Sequence, residues 1–278
     1  MSNDIIASLK NNPAVITGLD EDTKAIAGGS LGGSKRISIK GGVFRKMAGG
    51  KEVGAIEDRH MNVIFVKMSH KPSRTYYSGT YKEGEKISPA CWSSNSETPD
   101  AEVKNPLAAR CESCQMSAKG SGQGGSGTAC RLSWRTAVVL PGDPAGDVMQ
   151  LVLPATSVFG KEENGRWPFR EYVKMLANHN IAAGRVITKM QFDTKSPVPR
   201  VLFSPLSGIN PEDVDTLTSQ SKSAAAESAI KLTVYQNDES DAAPAAPVVV
   251  KEPKVREPKK PAAQVADVSD VLKEWTSK

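Results

Sequence analysis

Four cysteines, Cys91, Cys111, Cys114 and Cys130, are the residues of this chain whose types and spacing best suit chemistry, and the chain has no others. Cys111 and Cys114 stand two residues apart, so both thiolates can grip one metal ion from a single turn while Cys91 and Cys130 complete a tetrahedron. The spacing predicts one structural zinc site. Four thiolates close the coordination shell, whereas a hydrolytic zinc keeps a position for water and recruits His, Asp or Glu. The three histidines, His60, His70 and His179, are scattered and form no ligand pair by spacing. Residues 118–129 (AKGSGQGGSGTA) support the zinc expectation, because a backbone this rich in Gly and Ser is costly to order without a staple. The alternatives are two disulfides or free buried thiols. Nothing at the N-terminus resembles a secretory signal, and a reducing compartment disfavours disulfides.

The motifs of an NTPase, a Ser hydrolase or a zinc protease are absent from the sequence, which favours a non-catalytic protein. Asp20, Glu21 and Asp22 read as a solvated loop, and Glu212, Asp213 and Asp215 as a helix cap, rather than as an Mg²⁺ site. The net charge is +5 over 278 residues. It is unevenly spread: residues 35–135 hold 17 Lys and Arg against 9 Asp and Glu. A basic region interleaved with aromatic rings suits a polyanion, since phosphates release counterions and bases stack on exposed rings. The phosphate candidates are Lys40, Arg45, Lys46, Lys71, Arg74, Arg110, Lys119, Arg131 and Arg135. The stacking candidates are Tyr76, Tyr77, Tyr81, Trp92 and Trp134, any of which can instead be core. Tyr76 and Tyr77 point to opposite faces of a regular strand, so only one of them can line a groove.

These residues need elements to hold them. Residues 4–9 (DIIASL) suit a short helix, and residues 1–34 with GGSLGG at 28–33 a flexible arm. Residues 35–46 alternate like a half-buried strand with a bulge or tight bend at Gly41 and Gly42, and residues 48–51 (AGGK) suggest a hairpin turn. Residues 60–68 and 74–81 read as the next strands. The segment 88–131 breaks the rhythm and is expected to be a zinc-stapled insertion. Strands return at 132–140 and 149–154, a helix begins at Pro168 with Phe169, Val173 and Leu176 on one face, and a hairpin spans 186–203 around a turn at 193–199. Asn210 followed by Pro211, Glu212 and Asp213 announces another helix. The expected class is α+β, mainly antiparallel, with an oligonucleotide-binding (OB-fold-like) barrel over residues 35–235; a β-sandwich would give similar strings. Residues 236–266, rich in Ala, Pro, Val, Lys and Glu, read as a disordered linker. No run reaches the roughly 20 apolar residues of a membrane helix, so a soluble, cytoplasmic protein is expected.

The segments PACWSS at 89–94, CESC at 111–114, the Gly/Ser loop, ACR at 129–131 and RTAVV at 135–139 resemble a family of bacteriophage and plasmid proteins with a CWS…CxxC…GS…C signature. RTYY at 74–77 and LPATS at 153–157 fit it too, so the likeness spans most of residues 35–206. In overall design the chain resembles phage replication proteins that bind single-stranded DNA: a barrel, sometimes with a zinc-stapled subdomain, and a tail that recruits replication partners. That resemblance implies host-cell cytoplasm, Zn²⁺ as a structural cofactor, and single-stranded DNA and a replication or recombination protein as partners. Residues 237–278 carry 8 acids and 7 bases, unlike the acidic tip usual in those proteins. Residues 267–278 place Val268, Val271, Leu272 and Trp275 on one face of a short helix, which predicts ordering in a partner's groove because so short a helix is marginal alone. The expected function is sequence-tolerant, non-catalytic binding of single-stranded DNA; the alternative is a zinc-stabilised virion or adaptor protein without nucleic-acid affinity.

Overall fold

The structure is a computed structural model and describes residues 9, 35–79, 88–122, 125 and 127–234. The expectations for the arm, for Tyr81, for the linker and for the tip residues Val268, Val271, Leu272 and Trp275 lie outside the described residues.

Among the described residues ten strands form one sheet: β1 (Arg36–Ser38), β2 (Phe44–Ala48), β3 (Lys51–Ile56), β4 (His60–Met68), β5 (Ser73–Tyr76), β6 (Cys91–Ser93), β7 (Arg131–Val139), β8 (Met149–Pro154), β9 (Val186–Phe192) and β10 (Val201–Gly208). Eight of them follow the order β10-β9-β4-β7-β8-β1-β2-β3, while β5 pairs with β7 and β6. Every pairing is antiparallel except β1 with β8. Phe44 on β2 and Phe192 on β9 sit five strand steps apart, about 24 Å in a flat sheet, yet their ring centroids are 4.4 Å apart. The sheet is therefore curled into a half-barrel rather than the closed barrel expected, and β10 and β3 are the two ends of the path.

Among the described residues four helices cover the sheet: α1 (Ala155–Val158), α2 (Phe169–Asn178), α3 (Val214–Lys222) and α4 (Ala224–Ile230). Alternation along β4 sends Met61, Val63 and Phe65 into the concave core with Val138, Leu151 and Phe203, and Ile64 to the other face against Val139 and Leu217 of α3. That double burial explains why β4 and β7 carry near-continuous apolar runs. Helix α2 fills the concave side with Phe169, Tyr172 and Leu176, and Tyr172 Oη shares a 2.8 Å hydrogen bond with Thr188 Oγ1, satisfying a buried phenol. Ala226 and Ala229 of α4 pack on Ala137, small residues that let the helix approach the sheet. Lys67 holds α4 through Glu227, and Gln150 Nε2 donates to Ala229 O at 2.7 Å.

Most strand limits follow the alternation. The bend at Gly41–Gly42 is a single 3₁₀ turn that separates β1 from β2, and Gly49 and Gly50 take φ of +58° and +81° in the β2–β3 hairpin, a conformation glycine adopts without strain. Pro168 is the N-cap of α2; Phe169 and Leu176 are buried, half-buried Val173 packs against the same core as expected, and Tyr172 joins them there. Residues 210–213 start a helix as expected, but through a 3₁₀ turn and without a side-chain cap from Asn210. No helix among the described residues is long and apolar enough to cross a membrane.

One ion cluster ties the β9–β10 hairpin to the loop before α2. Arg200 Nη1 donates to Asp193 at 2.9 Å and to Glu163 at 2.7 Å. Burial pushes the Asp193 carboxyl up, but the Lys195 amide and the Arg200 guanidinium outweigh it and hold the pKa below the usual value. A carboxyl depressed in the folded state contributes stability that is complete above the unfolded value near 3.9 and lost as pH falls through the folded one. Asp193→Asn is therefore expected to lower the urea midpoint at pH 7 and to flatten its decline below about pH 4. An Asp193→Asn midpoint that falls with acid as steeply as the wild type's would refute this account.

Candidate functional site

The cysteine lobe grows out of the sheet at β5. Register pairs Tyr76 with Cys91, Thr75 with Trp92 and Arg74 with Ser93, so the expected insertion enters as a strand, β6, whose three residues are all buried. Short polar side chains set the loop that follows. Asn95 Oδ1 accepts from Ser93 Oγ, Glu97 N and Thr98 N, and Asp100 accepts from Ser94 N and Oγ. Ser96 Oγ donates to Pro72 O at 3.0 Å, and Cys111 N to Glu97 O at 2.9 Å. Cys111 to Cys114 is a tight turn, and Cys130 N reaches back to Met116 O at 2.7 Å. The Gly/Ser stretch closes through Gly120 N to Gly127 O at 2.6 Å.

These contacts bring all four cysteines to the wall of one small cavity of about 10 Å³, together with Arg74, Tyr76, Leu107 and Ser117. That is space for about one water-sized body. The cysteines are free, with no disulfide among them. Among the described residues no three His, Cys, Asp or Glu side chains converge as a metal-ligand set. Cys91 and Cys130 each lie within electrostatic reach of Cys111 and Cys114. Burial pushes both thiols up; the Leu107 amide opposes this at Cys91, and Arg74 and Ser117 oppose it at Cys130.

Two further atoms bear on metal fit. Arg74 Nε is buried at this cavity without a hydrogen-bond partner, and buried Ser117 Oγ has no partner other than the Cys130 thiol. Both are donors beside sulfur. Buried donors that lack partners are costly, and thiolates are acceptors that would satisfy them, as outer-shell donors do around metal–sulfur centres. By their chemistry four thiols suit a tetrahedral zinc ion, and Cys91, Cys111, Cys114 and Cys130 are the residues that would hold it, although among the described residues no three of them converge as a ligand set.

The nucleic-acid candidates fall into distinct environments. Trp92 is buried against Val103, and half-buried Trp134 packs edge-on to Phe169 and donates its Nε1–H to Ser69 O at 2.7 Å; both serve packing here. Tyr76 faces the cysteine cavity, whereas Tyr77 is 43% exposed, which agrees with the opposite facing of the two rings. Lys71, Arg110 and Arg45 pair with Glu97 (2.7 Å), Glu112 (2.9 Å) and Glu52 (3.0 Å), so their charge is partly neutralised. Arg74 faces sulfur rather than solvent. Lys40, Lys119 and Arg131 are exposed, and Lys46 and Arg135 half-buried.

The sequence carries no signal for Leu107, Ser117, Ser73 or Ser133, because their contacts cross strands and loops far apart in the chain. It also missed an open groove of about 500 Å³ lined by Trp167, Glu171, Lys174 and His179. Its lysines, Lys161 and Lys174, are balanced by Glu162 and Glu171, so it does not suit a polyanion. No family model, curated protein or solved structure matches the chain.

Proposed function

We propose that this protein binds single-stranded DNA without strong sequence preference, in phage-type replication or recombination, and that a structural zinc centre fixes the lobe beside its binding face. The likeness to an oligonucleotide-binding barrel rests on the curled antiparallel sheet; the tail, on this view, recruits a partner through Val268, Val271, Leu272 and Trp275. The observation that carries the proposal is the composition of one face of the β5–β7 seam. Arg131, Ser133 and Arg135 alternate onto one face of β7, and Thr75 lies opposite Arg131. Exposed Tyr77 follows Thr75 at the same alternation. Cation, hydroxyl and open ring are the parts that bind phosphates and stack bases.

Carboxylate pairing of Lys71, Arg110 and Arg45 favours the other reading, a zinc-stabilised virion or adaptor protein that docks through the lobe. Anisotropy titration of an oligothymidine and of the matching duplex at two salt concentrations separates the two. The expected result is tighter binding to the single strand, weakening with salt at a log–log slope of about 0.7 per phosphate contacted. No binding at low salt by folded, zinc-loaded protein refutes the DNA proposal and supports the docking one.

A further inference from the structure

Arg135 stands where β7 changes neighbour. Ser133 pairs with Ser73 on β5, Thr136 pairs with Met68 on β4, and Arg135 O accepts from Ser69 N at 3.0 Å in the turn between them. Its Nη1 donates to Ser73 Oγ and, at 3.4 Å, to Ser133 Oγ. The two hydroxyls are 3.3 Å apart. Both partners are neutral. Lys35, Arg45, Lys67, Lys71, Arg110, Lys174 and Arg200 each hold a carboxylate, but among the described residues no carboxylate bonds to Arg135. Its Nε and Nη2 likewise have no hydrogen-bond partner there. Burial pushes this guanidinium down to about 10, with the Tyr77 phenol acting in the opposite sense, so it remains charged at neutral pH.

A half-buried cation with neutral neighbours on one side and two unused donors on the other is poised for an external anion. Guanidinium presents parallel N–H groups that match two oxygens of one phosphate. Tyr77 supplies an exposed aromatic ring within electrostatic reach, and Arg131 lies four residues along the same strand face, about 13 Å away. A peptide carboxylate would use the guanidinium and leave the ring without a role; a nucleotide uses both.

Building on the DNA-binding reading, we propose that Arg135, oriented by Ser73 and Ser133, seats one phosphodiester of a single strand while Tyr77 stacks on an adjoining base. The test uses the full chain with an oligothymidine and an abasic phosphodiester oligomer of equal length. Arg135→Gln is expected to weaken both about tenfold and to reduce the salt slope by about 0.7, and Arg135→Lys to restore the slope without the full affinity. Tyr77→Ala, at an exposed position that leaves folding intact, is expected to weaken oligothymidine about 5- to 100-fold and leave the abasic oligomer unchanged. Wild type that binds neither oligomer removes the DNA-binding reading itself. Wild type that binds while Arg135→Gln keeps its salt slope, or Tyr77→Ala weakens both oligomers equally, overturns this seat alone. If Arg135→Gln melts early, the Tyr77→Ala comparison decides.

Discussion

Purified under reducing conditions, the protein is expected to carry one zinc per chain, and Cys111→Ser to lose it together with the order of residues 88–130. Beyond the hydrogen bonds that set its loops, the lobe has little apolar core. Its apolar centre consists of Cys91, Trp92 and Val103, with Tyr76, Leu232 and Val234 packed alongside, far too small a core to fold independently. Structural zinc supplies an apparent 10 to 16 kcal/mol in small peptides, about enough to dominate such a lobe. Trypsin should then cut at Lys104, Arg110 and Lys119 in Cys111→Ser or chelated protein, while the half-barrel, with its separate core, stays resistant. A chain stripped of all metal that keeps its melting temperature and its protease resistance would defeat the zinc assignment.

Phe203→Ala is expected to cost about 3 to 5 kcal/mol, a large share of the 5 to 15 kcal/mol typical of a whole domain. Phe203 is fully buried, with ring centroids of Phe65, Phe169 and Tyr172 at 6.1, 5.7 and 6.0 Å. It joins β4, β10 and α2 at one point, and its backbone exchanges hydrogen bonds with Trp167 at 2.8 and 2.9 Å. The ring neighbours come from two elements besides its own strand and cannot all collapse into the cavity that alanine would leave. Urea denaturation measures the loss directly; a difference below about 1 kcal/mol would mean that the concave core is not organised around this ring.

Local pattern carried much of the fold. β4 and β8 match the expected 60–68 and 149–154, because a strand's period-2 signal and its flanking turns lie within a few residues. The helix at Phe169–Asn178 was equally legible, as its proline start and apolar stripe are local. Three-residue β6 was not: CWS is too short to show a period, and its strand character comes from pairing with β5. The alanine-rich α4 offered no amphipathic stripe strong enough to read, and what holds it is contact with Ala137 on β7.

The candidate site divides in the same way. Cysteine number and the Cys-x-x-Cys spacing are properties of the sequence itself, and so are the basic bias of residues 35–135 and the opposite facing of Tyr76 and Tyr77. Which cation keeps a free charge was settled only by tertiary structure, because Lys71 meets Glu97 and Arg74 meets the cysteine cavity across loops that have no fixed geometry in the sequence. The curl of the sheet belongs to tertiary structure as well: Phe44 reaches Phe192 through the summed twist of the strands between them. A short-range pattern fixes which residues share an element and a face, whereas the partner of each side chain depends on how those elements come together.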